Sequence, residues 1–110
     1  MKTEKELKKM ISQMSSAEKA GQLFFLAFPG KDAEIIRPLI EKYGICGCYM
    51  SQDNADTFEE ADEVTSALQS MSKIPLLLGV DQEGAWSVVV PESHTGPGNL
   101  ALGALRKSKD

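Results

Sequence analysis

The chain is short of the residues that most often carry chemistry. Its 110 residues include one histidine, one tryptophan and two cysteines. The histidine, His94, has no serine or cysteine in a recognisable nucleophile elbow to serve, so it reads as a surface imidazole rather than a hydrolytic base. Cys46 and Cys48 stand at i and i+2 in what reads as a strand. They share a face but lie too far apart for the ~3.8 Å Cβ separation of a disulfide. Structural zinc wants four ligands, which two thiols and one histidine do not supply, so no metal is expected and the cysteines read as ordinary buried thiols. Basic charge is scarce too. Twelve Lys and Arg against sixteen Asp and Glu leave a net charge of -4, which is no electrostatic footprint for a nucleic acid. Long apolar runs are missing: Leu23 to Phe28, the longest strongly apolar stretch, is far short of the ~20 residues that span a bilayer. The first ten residues carry charges but no apolar h-region, so no secretory signal is expected and the default compartment is the cytoplasm.

What is present is ordinary for a globular domain. The chain is 42% hydrophobic and 25% charged, which excludes disordered, collagen-like and disulfide-dense classes. Its length allows one domain with one modest core, burying roughly two thirds of the unfolded surface. Leu7, Met10, Ile11 and Met14 fall at helical spacing within Thr3 to Met14 and predict an amphipathic helix. Ser15-Ser-Ala-Glu18 is a capping box that opens a short second helix ending near Gln22. Leu23–Phe28 reads as a strand. Ile36, Leu39, Ile40 and Tyr43 form the stripe of a helix closed by Gly44. Asp32 is its expected cap, and Pro38, beyond the first turn from there, predicts a kink or a late start. A second strand runs from Ile45 to Met50. Asp56-Thr-Phe-Glu59 is the expected cap of a third main helix, whose core face is Phe58, Ala61, Val64, Leu68 and Met71. Pro75 sits at the permitted first position of a third strand, 76–80. Val88-Val-Val90 reads as a possible short strand, and a further helix is expected to start within Leu100 to Lys107. Strands without polar alternation, separated by helices, indicate an α/β fold with a parallel sheet covered on both faces.

Ligands of parallel α/β sheets bind at the carboxyl ends of the strands. Those ends are Phe28-Pro-Gly30, Met50-Ser-Gln52 and Asp81-Gln-Glu-Gly84. The last, an acid, an amide and a second acid directly after an apolar strand, is the candidate site. Carboxylates there can accept hydrogen bonds from hydroxyls, act as acid or base, or hold a metal; the plainer reading is that Asp81 caps a loop and Glu83 is solvated. The two are poor candidates for a glycosidase pair, because neighbours on one loop rarely flank a substrate bond from both sides. Trp86 would stack on a sugar or base face, or simply pack. Gly96-Pro-Gly98-Asn-Leu-Ala101 fits a loose dinucleotide pattern but lacks a clean preceding strand and the acid expected ~20 residues later.

Four blocks carry a family resemblance: Met14-Ser-Ser-Ala-Glu-Lys-Ala-Gly-Gln-Leu-Phe24, Gly44-Ile-Cys-Gly47, Pro75-Leu-Leu-Leu-Gly-Val-Asp-Gln-Glu-Gly84 and Gly96-Pro-Gly-Asn-Leu-Ala-Leu-Gly-Ala104. Together they resemble the start of glycoside hydrolase family 3, most of all its bacterial β-N-acetylhexosaminidase and β-glucosidase branches. The resemblance implies the first three β/α units of a (β/α)8 barrel, with parallel strands about 23–28, 45–50 and 76–80, and a retaining O-glycosyl hydrolase acting on β-linked glucosyl or N-acetylglucosaminyl groups. It implies no cofactor. It places the nucleophile and the acid/base downstream of the matched segment, so no catalytic residue is expected in this chain and the isolated chain is expected to be inactive. Asp81 resembles the aspartate that binds hydroxyls of the non-reducing-end sugar, with Glu83 and Trp86 as further substrate-binding candidates. Ala85-Trp86 stand where many members have Gly-Arg, which leaves the sugar open. With most of a barrel absent, the chain is expected to self-associate. The alternatives are a non-catalytic sugar-binding or interaction fragment and an unrelated small α/β binding domain.

Overall fold

The structure, a computed structural model, describes residues 2–84 and 88–106. Helix α1, Glu4–Gln13, opens on Thr3, whose hydroxyl accepts the Glu6 N–H while the Glu6 carboxylate accepts the Thr3 N–H. The expected box at Ser15 forms in the same way. Ser15 Oγ accepts the Glu18 N–H at 3.2 Å, Glu18 Oε2 accepts the Ser15 N–H at 2.8 Å, and α2, Ser16–Gly21, follows. Each box pairs two amide hydrogens that a helix start leaves without intrahelical partners.

Strand β1, Phe25–Ala27, is shorter than the apolar run that predicts it. The amides of Leu23 and Phe24 donate instead to the Ala20 and Gly21 carbonyls at 3.0 and 2.9 Å, closing α2. Asp32 caps a 3-10 turn, Ala33–Ile36, and α3, Arg37–Tyr43, starts only after it. Pro38 thereby falls in the first turn of α3, where its missing N–H costs no helix bond, so the late start occurs. Gly44 closes α3 at φ 58°, a left-handed conformation open to glycine without Cβ strain. Strand β2, Gly47–Met50, helix α4, Phe58–Ser70, strand β3, Leu77–Val80, and helix α5, Gly98–Arg106, complete the order. The cap of α4 is Thr57, whose side chain accepts the Glu60 N–H. Val88–Val90 is not a strand. The Val89 N–H donates to the Gln82 side chain and the Val90 carbonyl accepts the Ser93 N–H, which bends the segment into a turn.

The three strands form one parallel sheet in the order β1-β2-β3. Register puts Leu26, Cys48 and Leu78 in one row and Phe25, Gly47 and Leu77 in the next, facing opposite sides. The first side holds the core. Ile36, Ile40, Val64, Leu68 and Met71, from the 3-10 turn, α3, α4 and the residue after α4, pack with Cys48 and Met50, and Leu26 and Leu78 lie against them. The second side is uncovered among the described residues: Phe25 and Leu77 are exposed, and Ala27 beside them is too. The expectation of a sheet covered on both faces is therefore corrected, because among the described residues the helix side chains of the core cluster pack on one side only. Nothing in the described residues makes this sheet part of a barrel. Phe58 also departs from its expected core role at 54% exposure, since it stands in the opening turn of α4, ahead of the buried Val64 and Leu68.

Neither terminal helix adds to the core. None of α1 is buried, and Leu100, Leu102 and Leu105 of α5 are exposed. The radius of gyration, 17.9 Å, accordingly exceeds the roughly 13 Å of a compact domain this long.

Candidate functional site

Each strand hands over to a loop at its carboxyl end. Phe28 to Gly30 follow β1, Ser51 to Asn54 follow β2, and Asp81 to Gly84 follow β3. The pairs Ala27↔Tyr49 and Met50↔Val80 are the last of their ladders. Ser51 and Asp81 are the next residues of their chains, one step beyond the last pair of the β2–β3 ladder.

The first two loops are joined by Asn54, which is fully buried. Its Nδ2 donates to the carbonyls of Phe28 and Gly30 at 3.0 and 2.5 Å, and its Oδ1 accepts the Ser51 N–H at 2.6 Å and the Ser51 hydroxyl at 3.2 Å. Asp53 reinforces the joint from outside, accepting the Gly30 N–H at 2.9 Å and the Ser51 hydroxyl in a close contact. These bonds hold the Asp53 carboxyl below its ordinary range, the Gly30 amide foremost. Lys31 extends the tie to the start of α4, lying 2.6 Å from both Asp56 Oδ2 and Glu60 Oε2. The ammonium lowers the Glu60 carboxyl, and the two carboxylates, Asp56 first, raise Lys31.

The loop after β3 is anchored by its middle residue. Gln82 Nε2 donates to Ser93 Oγ at 3.0 Å and its Oε1 accepts the Val89 N–H at 3.2 Å. Gly84 turns at φ 85° against Gly96 and Gly98. With the Gln82 side chain engaged by Ser93 and Val89, Asp81 and Glu83 are the exposed acids of the loop. Trp86, the third expected sugar contact, lies outside the described residues. His94 is exposed, and the Glu92 carboxylate accepts the Phe58 N–H at 3.0 Å. Cys48 is buried and Cys46 half-buried, both as free thiols, and burial raises the Cys48 thiol above its ordinary value. Among the described residues no three His, Cys, Asp or Glu side chains are grouped to hold a metal ion, and no helix is long and apolar enough to cross a membrane.

A cavity of about 560 Å³ lies elsewhere, lined by Met10, Met14, Gln22, Ile40, Met71 and Ile74. Gln22 precedes β1 and Ile74 precedes β3, so it opens at the amino ends of the strands, away from the acidic loop.

Asn54 is the residue that sequence reasoning missed. Within Ser51-Gln-Asp-Asn54 it looks like one more solvated loop residue, and the carbonyls it binds lie 26 and 24 positions earlier. A side chain's partners at such separations leave no local signal.

The depressed carboxyls predict an acid dependence. Asp53, Glu60, Glu18, Glu6 and Glu34 all sit below their ordinary values. The unfolded chain therefore binds more protons than the folded one as the pH falls through the carboxylate range, roughly pH 4 and below. Their stabilisation is present above that range and lost beneath it. The melting temperature should be flat near neutrality and fall on acidification, with a shallower fall in Asp53→Asn plus Glu60→Gln. An equal slope in the double variant would show that these groups do not titrate with folding.

No protein-family model matches the chain, and no curated protein matches it. Solved structures do. One is a fungal multi-domain glycoside hydrolase family 3 β-N-acetylglucosaminidase, described as holding a unique GCN5-related glucosamine N-acetyltransferase region. It is 30% identical with a TM-score of 0.76, over 83% of this chain and 12% of that one. Another is a glycoside hydrolase family 3 β-N-acetylglucosaminidase from Paenibacillus sp. str. FPU-7, 29% identical with a TM-score of 0.69, over 83% of this chain and 18% of that one. The chain thus has structural neighbours in proteins of that family and spans a small part of each.

These findings correct the expected assignment to the amino-terminal barrel segment of glycoside hydrolase family 3. The fungal neighbour is a multi-domain protein distinguished by an acetyltransferase region, and likeness to 12% of it does not place the chain in a glycosidase barrel. Three parallel strands with helices on one face are an α/β fold. Closing a barrel takes eight strands.

Proposed function

We propose that this chain is a sugar-binding unit of a protein acting on O-glycosyl bonds of β-linked N-acetylglucosaminyl or glucosyl groups, and that Asp81 is its principal contact with the sugar. The observation that carries this reading is the place of Asp81: exposed, at the carboxyl end of the sheet, one residue beyond the last β2–β3 pair. A carboxylate there accepts hydrogen bonds from hydroxyls, and such charge-assisted bonds are the stronger kind. That both neighbours described are β-N-acetylglucosaminidases supports the choice of sugar. Glu83, exposed on the same loop, is a secondary contact. The chain alone binds without hydrolysing. Retaining hydrolysis needs two carboxyls ~5–5.5 Å apart flanking the bond from opposite sides, and neighbours on one loop do not flank it.

A second reading comes from the description of the fungal neighbour, in which glucosamine is an acetyl acceptor. It calls for the same amino sugar together with an acetyl donor. Titration of the ¹⁵N-labelled chain with N-acetylglucosamine, and separately with acetyl-CoA, distinguishes the two. The expected result is saturable shifts around Asp81 and Ser51 with the sugar, none with acetyl-CoA, and no turnover of an aryl N-acetyl-β-glucosaminide. Asp81→Asn should weaken sugar binding about ten- to a hundredfold, the worth of one or two charged hydrogen bonds. Unchanged affinity in Asp81→Asn would make the aspartate structural. Saturable acetyl-CoA binding would favour acetyl transfer, and aryl glycoside turnover abolished by Asp81→Ala would restore a catalytic role to this loop.

A further inference from the structure

A buried amide that binds two loops at once invites a question about what those loops must hold still. Asn54 fills its hydrogen-bonding capacity on backbone and hydroxyl groups of the strand ends: two carbonyls after β1, and an amide and a hydroxyl at Ser51 after β2. A solvated asparagine would serve the loop equally well if only solubility were needed. Burying one requires every polar atom to be paired, since an unpaired buried amide is costly. The clamp sets two quantities. One is the height of the Phe28–Gly30 backbone above the sheet. The other is the orientation of Ser51, whose amide is tied to Asn54 and whose hydroxyl hydrogen is committed to Asp53 or Asn54. With its hydrogen committed, the Ser51 oxygen is left to accept. Ser51 and Asp81 are the residues that directly follow Met50↔Val80, the last pair of the β2–β3 ladder.

We propose that Asn54 is a positioning residue of these strand ends, and that by holding Ser51 in place it presents, with Asp81, a pair of acceptor oxygens to adjacent hydroxyls of a sugar. This rests on the sugar-binding reading above and deepens it. The ligand class is a polyol with neighbouring equatorial or axial–equatorial hydroxyls, each donating to one acceptor. Asn54 touches no ligand. It acts through Ser51 and through the Phe28–Gly30 backbone.

The test compares the unaltered chain with Asn54→Asp, Asp53→Ala and Asp81→Asn by amide-resolved titration with N-acetylglucosamine. Asn54→Asp keeps the size and the acceptor but removes both donors to the Phe28 and Gly30 carbonyls. Asp53→Ala loosens the exposed half of the same joint and serves if the first variant does not fold. Two readouts are taken where the strand amides of β1, β2 and β3 remain protected. The Gly30 amide, which the Phe28–Gly30 loop presents to Asp53 at 2.9 Å, should lose protection from exchange selectively in Asn54→Asp, because that loop loses both donors from Asn54 while the Ser51 N–H keeps its acceptor. Affinity should fall about tenfold in Asn54→Asp, the effect of one misplaced hydrogen bond of ordinary net strength, and severalfold in Asp53→Ala. If Asp81→Asn weakens binding while folded Asn54→Asp and Asp53→Ala bind as the unaltered chain does, Asn54 is structural only and the proposal fails alone. If the unaltered chain does not bind the sugar, or Asp81→Asn changes nothing, the sugar-binding reading fails and this proposal with it.

Discussion

Gly47→Ala should lose about 3 kcal/mol or more of stability, and Gly47→Val at least as much. The damage comes from the first carbon added. A Cβ on Gly47 would overlap the Leu77 carbonyl oxygen and stand 2.6 Å from Cδ2 of Phe25. One obstacle is backbone, so no rotamer change relieves it. Gly47 is in the central strand and pairs with both Phe25 and Leu77, so a shift there disturbs both ladders. Overpacking a core typically costs about 1–3 kcal/mol, and a backbone collision at the centre of a sheet belongs at or above the top of that range. A domain of this length has only about 5–15 kcal/mol to lose. Thermal melting followed by circular dichroism, with amide exchange on the strands, reads the outcome. Phe25→Leu in the Gly47→Ala background should not restore the lost stability, because it removes the ring and leaves the Leu77 carbonyl. A Gly47→Ala chain that melts within about 3 °C of the unaltered one, well inside what 1 kcal/mol would shift, would show that the strands move apart freely.

Leu68→Ala should cost about 2–5 kcal/mol, the range for emptying a leucine-sized space in a core. Leu68 is fully buried on the face of α4 that covers Cys48 and Met50. Among the described residues there is one core, built on one side of the sheet, and no second cluster to compensate. Phe58→Ala, ten residues earlier on the same helix, removes a larger side chain but one that is 54% exposed, and should change stability by within about 0.5 kcal/mol. Chemical denaturation of the two variants checks both. A larger loss for Phe58→Ala than for Leu68→Ala would mean that the open side of the molecule, not the helix-covered side, carries its stability.

The contrast between those two residues shows where the sequence stops being informative. Phe58, Val64 and Leu68 lie on one helical stripe and are equivalent as a pattern. Val64 and Leu68 are buried and Phe58 is not, because the stripe extends beyond the part of the helix that covers the sheet. The strand ends show the same boundary. Leu23 and Phe24 are as apolar as Phe25, but their amides are taken by the last turn of α2, so pairing begins later. Val88–Val90 has the composition of a strand and is bent into a turn by a glutamine seven residues before Val89.

The sequence by itself determined the features whose physics is local. The Ser15–Glu18 box and the left-handed stop at Gly44 each depend on groups within about four residues of one another, so the residue types and their spacing suffice. Pro38 narrows its helix to a kink or a late start, and the structure shows the late start. The parallel α/β class followed from apolar strand runs alternating with helical stripes, and the acidic loop after β3 from its place at a strand end. Which side of the sheet is covered, and that Asn54 rather than another polar residue joins the loops, were decided only by tertiary structure. Each depends on partners brought together across twenty or more positions, and an asparagine in solvent and one clamped between two carbonyls are the same letter in the chain.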